Sequence, residues 1–216
     1  LADISFVSTT VPKILTNLMS QSQTITFRGC LTQMYFFLAF GNSDNFLLAC
    51  MAYDRYVAVC RPLHYITVMS HKCCLLLVLG SWIISSLHSL LYPLLISRLS
   101  FCVSLQIPYL FCDVYPLLEF SCSDTRLIKI LAQTEGVVDL LGPLGIIITS
   151  YALIFSAILK IPSRAGKRKA FSTCGSHLTV VIMFYGTISS LYFQPSSAYS
   201  AQKGTFTSLL YAVVIP

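Results

Sequence analysis

Several long apolar runs, separated by short polar stretches, constrain this chain more than any other feature of its sequence. Each run approaches the roughly 20 residues that a helix needs to cross the hydrocarbon core of a bilayer. Apolar residues make up 56% of the chain and charged residues only 10%, against about 25% charged in a soluble domain. A soluble fold could not cover its surface with so few charges. The sequence therefore predicts an all-helical protein that crosses the membrane several times.

Hydropathy predicts about six membrane spans, of which the first and the last are incomplete. No basic segment of a cleavable signal peptide precedes the first apolar run, and the last run stops without a polar tail. We therefore expect residues 1–216 to be a single domain truncated at both ends. The predicted spans are Leu1 to about Leu18, Cys30 to Cys60, Cys73 to Ile96, Leu140 to Ile161, Leu178 to Phe193, and Phe206 onward.

Basic residues cluster in two of the connections between spans. Arg55, Arg61 and Lys72 border the second connection, and five basic residues from Lys160 to Lys169 crowd the fourth. Two spans separate the clusters, so both lie on one side of the membrane, which the positive-inside rule makes cytoplasmic. The net charge of +6 therefore lies mostly beside anionic lipid. Because spans flank these residues and no aromatic platform accompanies them, we expect no nucleic-acid partner.

Successive connections alternate between the two sides of the membrane, so the connection from Ser97 to about Lys129 lies on the outer side. It carries Cys102, Cys112 and Cys122, and Cys30 lies at the outer end of the preceding long span. Four cysteines in an oxidising compartment are disulfide candidates, and they allow three pairings that the sequence alone does not separate. We expect the other five cysteines to be reduced.

Charged residues inside apolar spans are costly and are therefore functional candidates by default. Asp44 lies in the middle of one span, and Asp3 lies in another apolar segment. Two carboxylates at bilayer depth repel each other unless a cation, a serine network or a proton lies between them, or one is simply protonated. At about 100° per residue, one helix face, which we expect to point into a bundle, carries Phe37, Gly41, Asp44, Leu48, Met51 and Arg55.

Two long motifs indicate a family. The first is Met51-Ala-Tyr-Asp-Arg-Tyr-Val-Ala-Val-Cys-Arg-Pro-Leu-His-Tyr65, which resembles the inner end of the third helix of rhodopsin-like G-protein-coupled receptors, in the extended form of olfactory (odorant) receptors. The second is Lys169-Ala-Phe-Ser-Thr-Cys-Gly-Ser-His-Leu178, which resembles that family's entry into the sixth helix. The resemblance covers essentially the whole chain, from the middle of the second helix to the middle of the seventh.

The resemblance implies a seven-transmembrane helix bundle with an odorant pocket in its outer half and a cleft for a heterotrimeric G protein, of the stimulatory olfactory type, in its inner half. It also implies a plasma-membrane location, in sensory cilia. In the family, the acid matching Asp54 holds the arginine matching Arg55, next to the position of Tyr56. Activation releases that arginine to the G protein and to the tyrosine matching Tyr151, and His177 matches a histidine near this switch.

The resemblance also implies ligand, disulfide and ion positions. It implies that Cys30 pairs with Cys112 and Cys102 with Cys122. Asp3 and Asp44 match an acidic pair near an allosteric sodium position, although the family commonly has glutamate in place of Asp44, and we expect no other cofactor. Family pocket positions, which are apolar with a few hydrogen-bonding groups and suit a small, weakly polar ligand, map onto Leu38, Gly41, Asn42, Tyr185, Ile188, Ser189 and Tyr192.

Glu135 and Asp139 depart from a mostly apolar odorant pocket. They are four residues apart and share a face of the fifth helix, outward of Pro143. They either bind an amine or hydroxyl group of the ligand or are only wetted at the outer edge of the membrane. If they face the pocket, amines or alcohols should be better agonists than carboxylic acids.

A transporter or channel and an intramembrane hydrolase are the competing functions. The sequence has no repeated halves or matching Gly/Pro-broken helices of a transporter. It also has no recurring nucleophile–base or metal-ligand spacing. We therefore expect a receptor that is not an enzyme.

Overall fold

The computed structural model describes residues 4–5, 7–9, 12, 25–102, 106–107, 112 and 114–192. Most of the first predicted span, the end of the fifth at Phe193 and the span from Phe206 lie outside the described residues. Within them, four long helices are joined by short elements. In chain order the elements are β1 (Ile25–Thr26), α1 (Phe27–Cys60), a 3₁₀ turn (Pro62–His64), α2 (Tyr65–Val68), α3 (His71–Ser97), β2 (Gln106–Ile107), α4 (Val114–Glu119), α5 (Arg126–Leu159) and α6 (Arg164–Tyr192).

The long helices form a membrane bundle with α1 at its centre. Among the described residues, α3, α5 and the Arg164–Ser189 part of α6 are long and apolar enough to cross a membrane. α1 has 34 residues, roughly 50 Å at 1.5 Å per residue, but its middle is polar from Asn42 to Asn45. Because α1 packs against α3, α5 and α6, its polar residues lie inside the bundle and away from lipid. The predicted all-helical membrane fold is confirmed.

Two helices begin well before the predicted spans. α5 begins at Arg126 and not at Leu140, and α6 begins at Arg164 and not at Leu178. Hydropathy detects only the apolar part of a helix, whereas the backbone hydrogen bonds continue into its polar part. At the start of α5, the carboxylate of Asp124 accepts a hydrogen bond from the Arg126 N–H at 3.0 Å, which satisfies one of the free donors at a helix N-terminus.

The buried face of α1 also differs from the predicted face. Asp44 and Leu48 are buried, but Met51 is 45% exposed, so the prediction for Met51 is wrong. Ala52 is completely buried instead. A helix surrounded by three others buries more than one stripe of residues, so a single 100° pattern does not describe its environment.

Small side chains line the contact between α1 and α3. Ser81, Ser85 and Ser89 recur four residues apart on α3 and are all buried. Ser81 Oγ lies 3.9 Å from Cys50 Sγ, and Ser89 Oγ lies 3.5 Å from Asn42 Nδ2, both on α1. Rows of small residues let membrane helices approach closely and pack by van der Waals contact.

The outer connection packs against the bundle. β1 and β2 pair antiparallel, with Ile25 opposite Ile107. On α4, Leu117 and Leu118 are each 2% exposed and belong to one apolar cluster with Met34 of α1. The connection therefore covers the end of the bundle where the α1 residue Cys30 lies.

We predict that Ser85→Leu destabilises the complete receptor by about 1–3 kcal/mol, because a larger side chain overpacks the α1–α3 contact. Ser86→Leu, at a partly exposed position one residue away, is the matched control and should be tolerated. The measurement is the thermal midpoint of each purified variant. Equal midpoints for the two variants would contradict the tight packing inferred for Ser85.

Candidate functional site

The inner end of the bundle, so called because the charge pattern assigns it to the cytoplasm, carries the motif around Arg55. Arg55 Nε lies 3.8 Å from Asp54 Oδ2. The other oxygen of the same carboxylate, Oδ1, accepts a hydrogen bond from the Tyr65 hydroxyl of α2 at 2.8 Å. This bond to a carboxylate is the main cause that raises the pKa of the Tyr65 phenol. Asp54 is thus shared between its neighbour in sequence and the inner connection.

A buried histidine connects three helices near this motif. His177 of α6 is 3% exposed, and its Nε2 lies 3.2 Å from the main-chain oxygen of Leu48 in α1. A carbonyl only accepts, so Nε2 carries the proton and Nδ1 accepts from the Tyr151 hydroxyl of α5, at 2.7 Å. Tyr151 is therefore held by His177 in this arrangement. Tyr56, the third residue of the motif around Arg55, packs against the apolar cluster that contains Ile154.

A second connection between α1 and α6 lies closer to the outer half. The Tyr185 hydroxyl donates to Asn45 Oδ1 at 2.6 Å, and Asn45 Nδ2 donates to the main-chain oxygen of Asp139 at 2.7 Å. In a regular helix that oxygen would accept from the residue four positions on, which here is Pro143 and has no N–H. Asn45 therefore satisfies a carbonyl that proline leaves without its helical donor.

The outer half contains a cluster of polar side chains between α3 and α5, which we call the His88 cluster: Asn42, His88, Tyr92, Glu135 and Asp139. His88 Nε2 lies 2.9 Å from Glu135 Oε2, and His88 Nδ1 lies 3.1 Å from Asp139 Oδ2. Tyr92 donates to the same Glu135 oxygen at 3.1 Å, and Asn42 Nδ2 lies 3.2 Å from His88 Nδ1. The cluster joins α1, α3 and α5.

The predicted ligand-binding residues are partly brought together. Asn42, Glu135 and Asp139 meet in the His88 cluster, and Tyr185 reaches the backbone of Asp139 through Asn45. The remaining members are apolar or small. Leu38 packs with the outer apolar cluster, whereas Ile188 packs with a second cluster in the middle of the bundle. Gly41 and Ser189 are partly buried, and the side chain of Tyr192 lies outside the described residues.

The predicted sodium position stays a prediction. Asp44 is buried at 8% exposure, and Asp3 lies outside the described residues. Within the described ranges, no group of three or more His, Cys, Asp or Glu side chains is placed to hold a metal ion.

Two disulfides attach the outer connection to the bundle. Cys30 at the start of α1 is bonded to Cys112, with the Cα atoms 5.3 Å apart, and Cys102 is bonded to Cys122, with the Cα atoms 5.8 Å apart. These are the pairings that the family resemblance implies. The five remaining cysteines, expected to be reduced, are free: Cys50, Cys60, Cys73, Cys74 and Cys174.

Sequence reasoning did not predict the contacts of His88, Tyr92, Asn45 or Tyr65. One signal was present for the first two, because His88 and Tyr92 are four residues apart in one span and Glu135 and Asp139 are four apart in another. Equal spacing places each pair on one helix face. The sequence does not say that the two faces meet.

Comparisons with known proteins agree with the motifs. A family model described as "Olfactory receptor" matches residues 1–199. Human olfactory receptor 1L1 is 54% identical over 99% of the chain, gorilla olfactory receptor 1G1 is 56% identical over 100%, and rat olfactory receptor 1f45 is 52% identical over 99%. The chain spans 59% of the length of the first of these relatives, 69% of the second and 68% of the third.

We predict that a non-reducing peptide map of the complete receptor recovers Cys30 joined to Cys112 and Cys102 joined to Cys122. By loop closure alone, the first bond, with a sequence separation of 82, should stabilise the fold by roughly 4–5 kcal/mol and the second by roughly 3 kcal/mol. Cys30→Ser should therefore lower the thermal midpoint more than Cys102→Ser. A map that joins Cys30 to Cys102 or Cys122 would contradict the assignment.

Proposed function

Since this chain belongs to the olfactory receptor family, we propose that it binds a small odorant in its outer half and activates a heterotrimeric G protein at its inner face. Its relatives are receptors and not enzymes. The observation that carries the proposal is a pair of hydrogen-bonded links from α6 to α1, one through Tyr185 and one through His177. Both links lie on the inner side of the His88 cluster.

The proposed odorant pocket combines polar groups with apolar walls. Asn42, Glu135 and Asp139 supply hydrogen-bonding groups, and Leu38 and Ile188 supply apolar surface. A pocket of this composition suits a small, weakly polar molecule that is held mainly by burial and oriented by one or two hydrogen bonds. The other proposed members are Gly41, Tyr185, Ser189 and Tyr192.

Asp139 supports a route from the pocket to α6. Its side chain contacts His88, and its main-chain oxygen accepts from Asn45, which accepts from Tyr185 of α6. A ligand that moves the side chain of Asp139 therefore acts on a residue whose backbone is already tied to α6. Coupling of this kind needs a packed element that has two alternative arrangements. We propose that this element is α6, which can take two positions relative to α1.

The proposed inner switch consists of Asp54, Arg55, Tyr56, Tyr151 and His177. Outward movement of α6 would break the His177 contacts with Leu48 and Tyr151 and free the tyrosine hydroxyl to meet Arg55. Two hydrogen bonds at a net value of about 1 kcal/mol each amount to roughly 2 kcal/mol. Allosteric coupling energies are typically about 1–3 kcal/mol, so ligand binding can offset this cost.

Family membership also supports three finer proposals. The chain is a multi-pass membrane protein, and we propose that it resides in the plasma membrane of sensory cilia. We propose that its partner is a stimulatory, olfactory-type G protein. An allosteric sodium ion near Asp3 and Asp44 remains a proposal that a sodium titration of ligand affinity would test.

We predict that Arg55→Ala abolishes ligand-dependent signalling by the complete receptor while leaving surface expression measurable. The change removes an inner contact with the G protein and not a core side chain. Arg126→Ala is the matched control, because that arginine is 90% exposed at the start of α5. Nucleotide exchange on added G protein is the readout. Normal exchange by Arg55→Ala would remove Arg55 from the switch.

We predict that alcohols activate the complete receptor at lower concentrations than carboxylic acids of the same carbon skeleton. His88 already contacts both Glu135 and Asp139, so a ligand carboxylate finds no free cation there and would lie beside two other carboxylates. In the double variant Glu135→Gln with Asp139→Asn, acids should gain at least about tenfold in potency, equivalent to about 1.4 kcal/mol. Concentration–response curves provide the test. An unchanged order of potency would place both carboxylates outside the pocket.

A further inference from the structure

The His88 ring lies between two carboxylates on the facing helix. Its two nitrogens each face a different one, at 2.9 Å from Glu135 and 3.1 Å from Asp139. A neutral imidazole donates at only one nitrogen, whereas an imidazolium donates at both. Only a positively charged His88 can therefore donate to both carboxylates at once, and the geometry of the cluster fits that form.

The neighbouring neutral groups are compatible with this charge. Tyr92 donates to Glu135 Oε2, and a carboxylate oxygen has a second lone pair that can accept from the imidazole as well. The side-chain amide of Asn42 lies beside His88 Nδ1 and Ser89 Oγ. Amide oxygen and nitrogen are assigned from their hydrogen-bond partners. The orientation that fits an imidazolium presents the Asn42 oxygen to both donors.

The cluster is sheltered but not sealed. The side chains of His88 and Asp139 are each 24% exposed, and that of Glu135 is 33% exposed. These side chains therefore keep part of their surface free of protein contact, and the proposed odorant pocket would use that surface. A carboxylate away from water needs a cationic or hydrogen-bonding partner, and here that partner is already part of the protein.

This arrangement changes the ligand class expected from the two acids alone. A ligand amine would have to displace His88 from a carboxylate, and replacing one cation by another brings little net attraction. An alcohol needs no such displacement, because it can add a hydrogen bond to Asn42, Tyr92 or a second carboxylate lone pair. Neutral hydrogen-bonding ligands are therefore favoured over amines.

We propose that His88 is a specificity-determining residue: as a built-in cation it occupies the Glu135–Asp139 pair and selects neutral hydrogen-bonding odorants over amines. The inference rests on the proposed odorant pocket and names the ligand class of that pocket. Removing the cation without removing the acids should convert the pocket to one that binds amines.

The experiment compares primary amines with alcohols of the same carbon skeleton on cells that express the complete receptor. In His88→Leu, amine potency relative to the matched alcohol should rise at least about tenfold. His88→Lys keeps a cation and should keep the wild-type order. His71→Leu removes an exposed histidine from the inner end of the same helix and should change nothing.

Surface expression provides a second readout, because His88→Leu leaves two carboxylates without their cation. If that variant does not reach the surface, adding Glu135→Gln and Asp139→Asn should restore expression, since charge and counter-charge are then both removed. Failure of this restoration would overturn the proposal. So would an unchanged amine-to-alcohol ratio in an expressed His88→Leu receptor, or a wild-type receptor that prefers an amine tenfold over its alcohol.

The two proposals fail in different ways. If the wild-type receptor responds to no member of a broad odorant panel, the proposed function fails, while the rescue of surface expression still tests the ion pairs of His88. If the wild-type receptor responds and only the His88→Leu ratio stays unchanged, the odorant pocket stands and the role of His88 is wrong.

Discussion

The absence of water in the bilayer core governs this structure, because each polar group within a span must find its partner inside the protein. α1 is polar in its middle, from Asn42 to Asn45, and packs against the other three long helices. Asn42 bonds to α3, the main-chain oxygen of Leu48 bonds to α6, and Asn45 bonds to both α5 and α6. The groups that are costly in lipid are therefore the groups that hold the bundle together.

The same requirement places a backbone irregularity next to the proposed pocket. Pro143 deprives the Asp139 carbonyl of its helical donor, and Asn45 replaces that donor. The bond connects α5 to the side chain that also receives the Tyr185 hydroxyl of α6. A single polar side chain thus links the helix that carries the two carboxylates with the helix proposed to move on activation.

Much of the fold was predictable, because hydropathy and the positive-inside rule depend only on local composition. The apolar centres of α3, α5 and α6 coincide with predicted spans, whereas the starts of α5 at Arg126 and α6 at Arg164 were missed, since polar helical turns resemble loops. Of the candidate site, the motif residues Arg55 and His177 were recognisable from sequence. The link through Asn45 was not, because it joins residues 94 and 140 positions apart.

By itself, the sequence determined that the chain is a helical membrane protein of the olfactory receptor family, because apolar runs and contiguous motifs are local patterns. It also determined that Glu135 and Asp139 share a helix face, since a spacing of four residues fixes that geometry. Only the tertiary structure decided what those carboxylates face. The helix rotation and packing that bring His88 of α3 against them arise from contacts among three helices, and no local pattern in the chain specifies which faces meet.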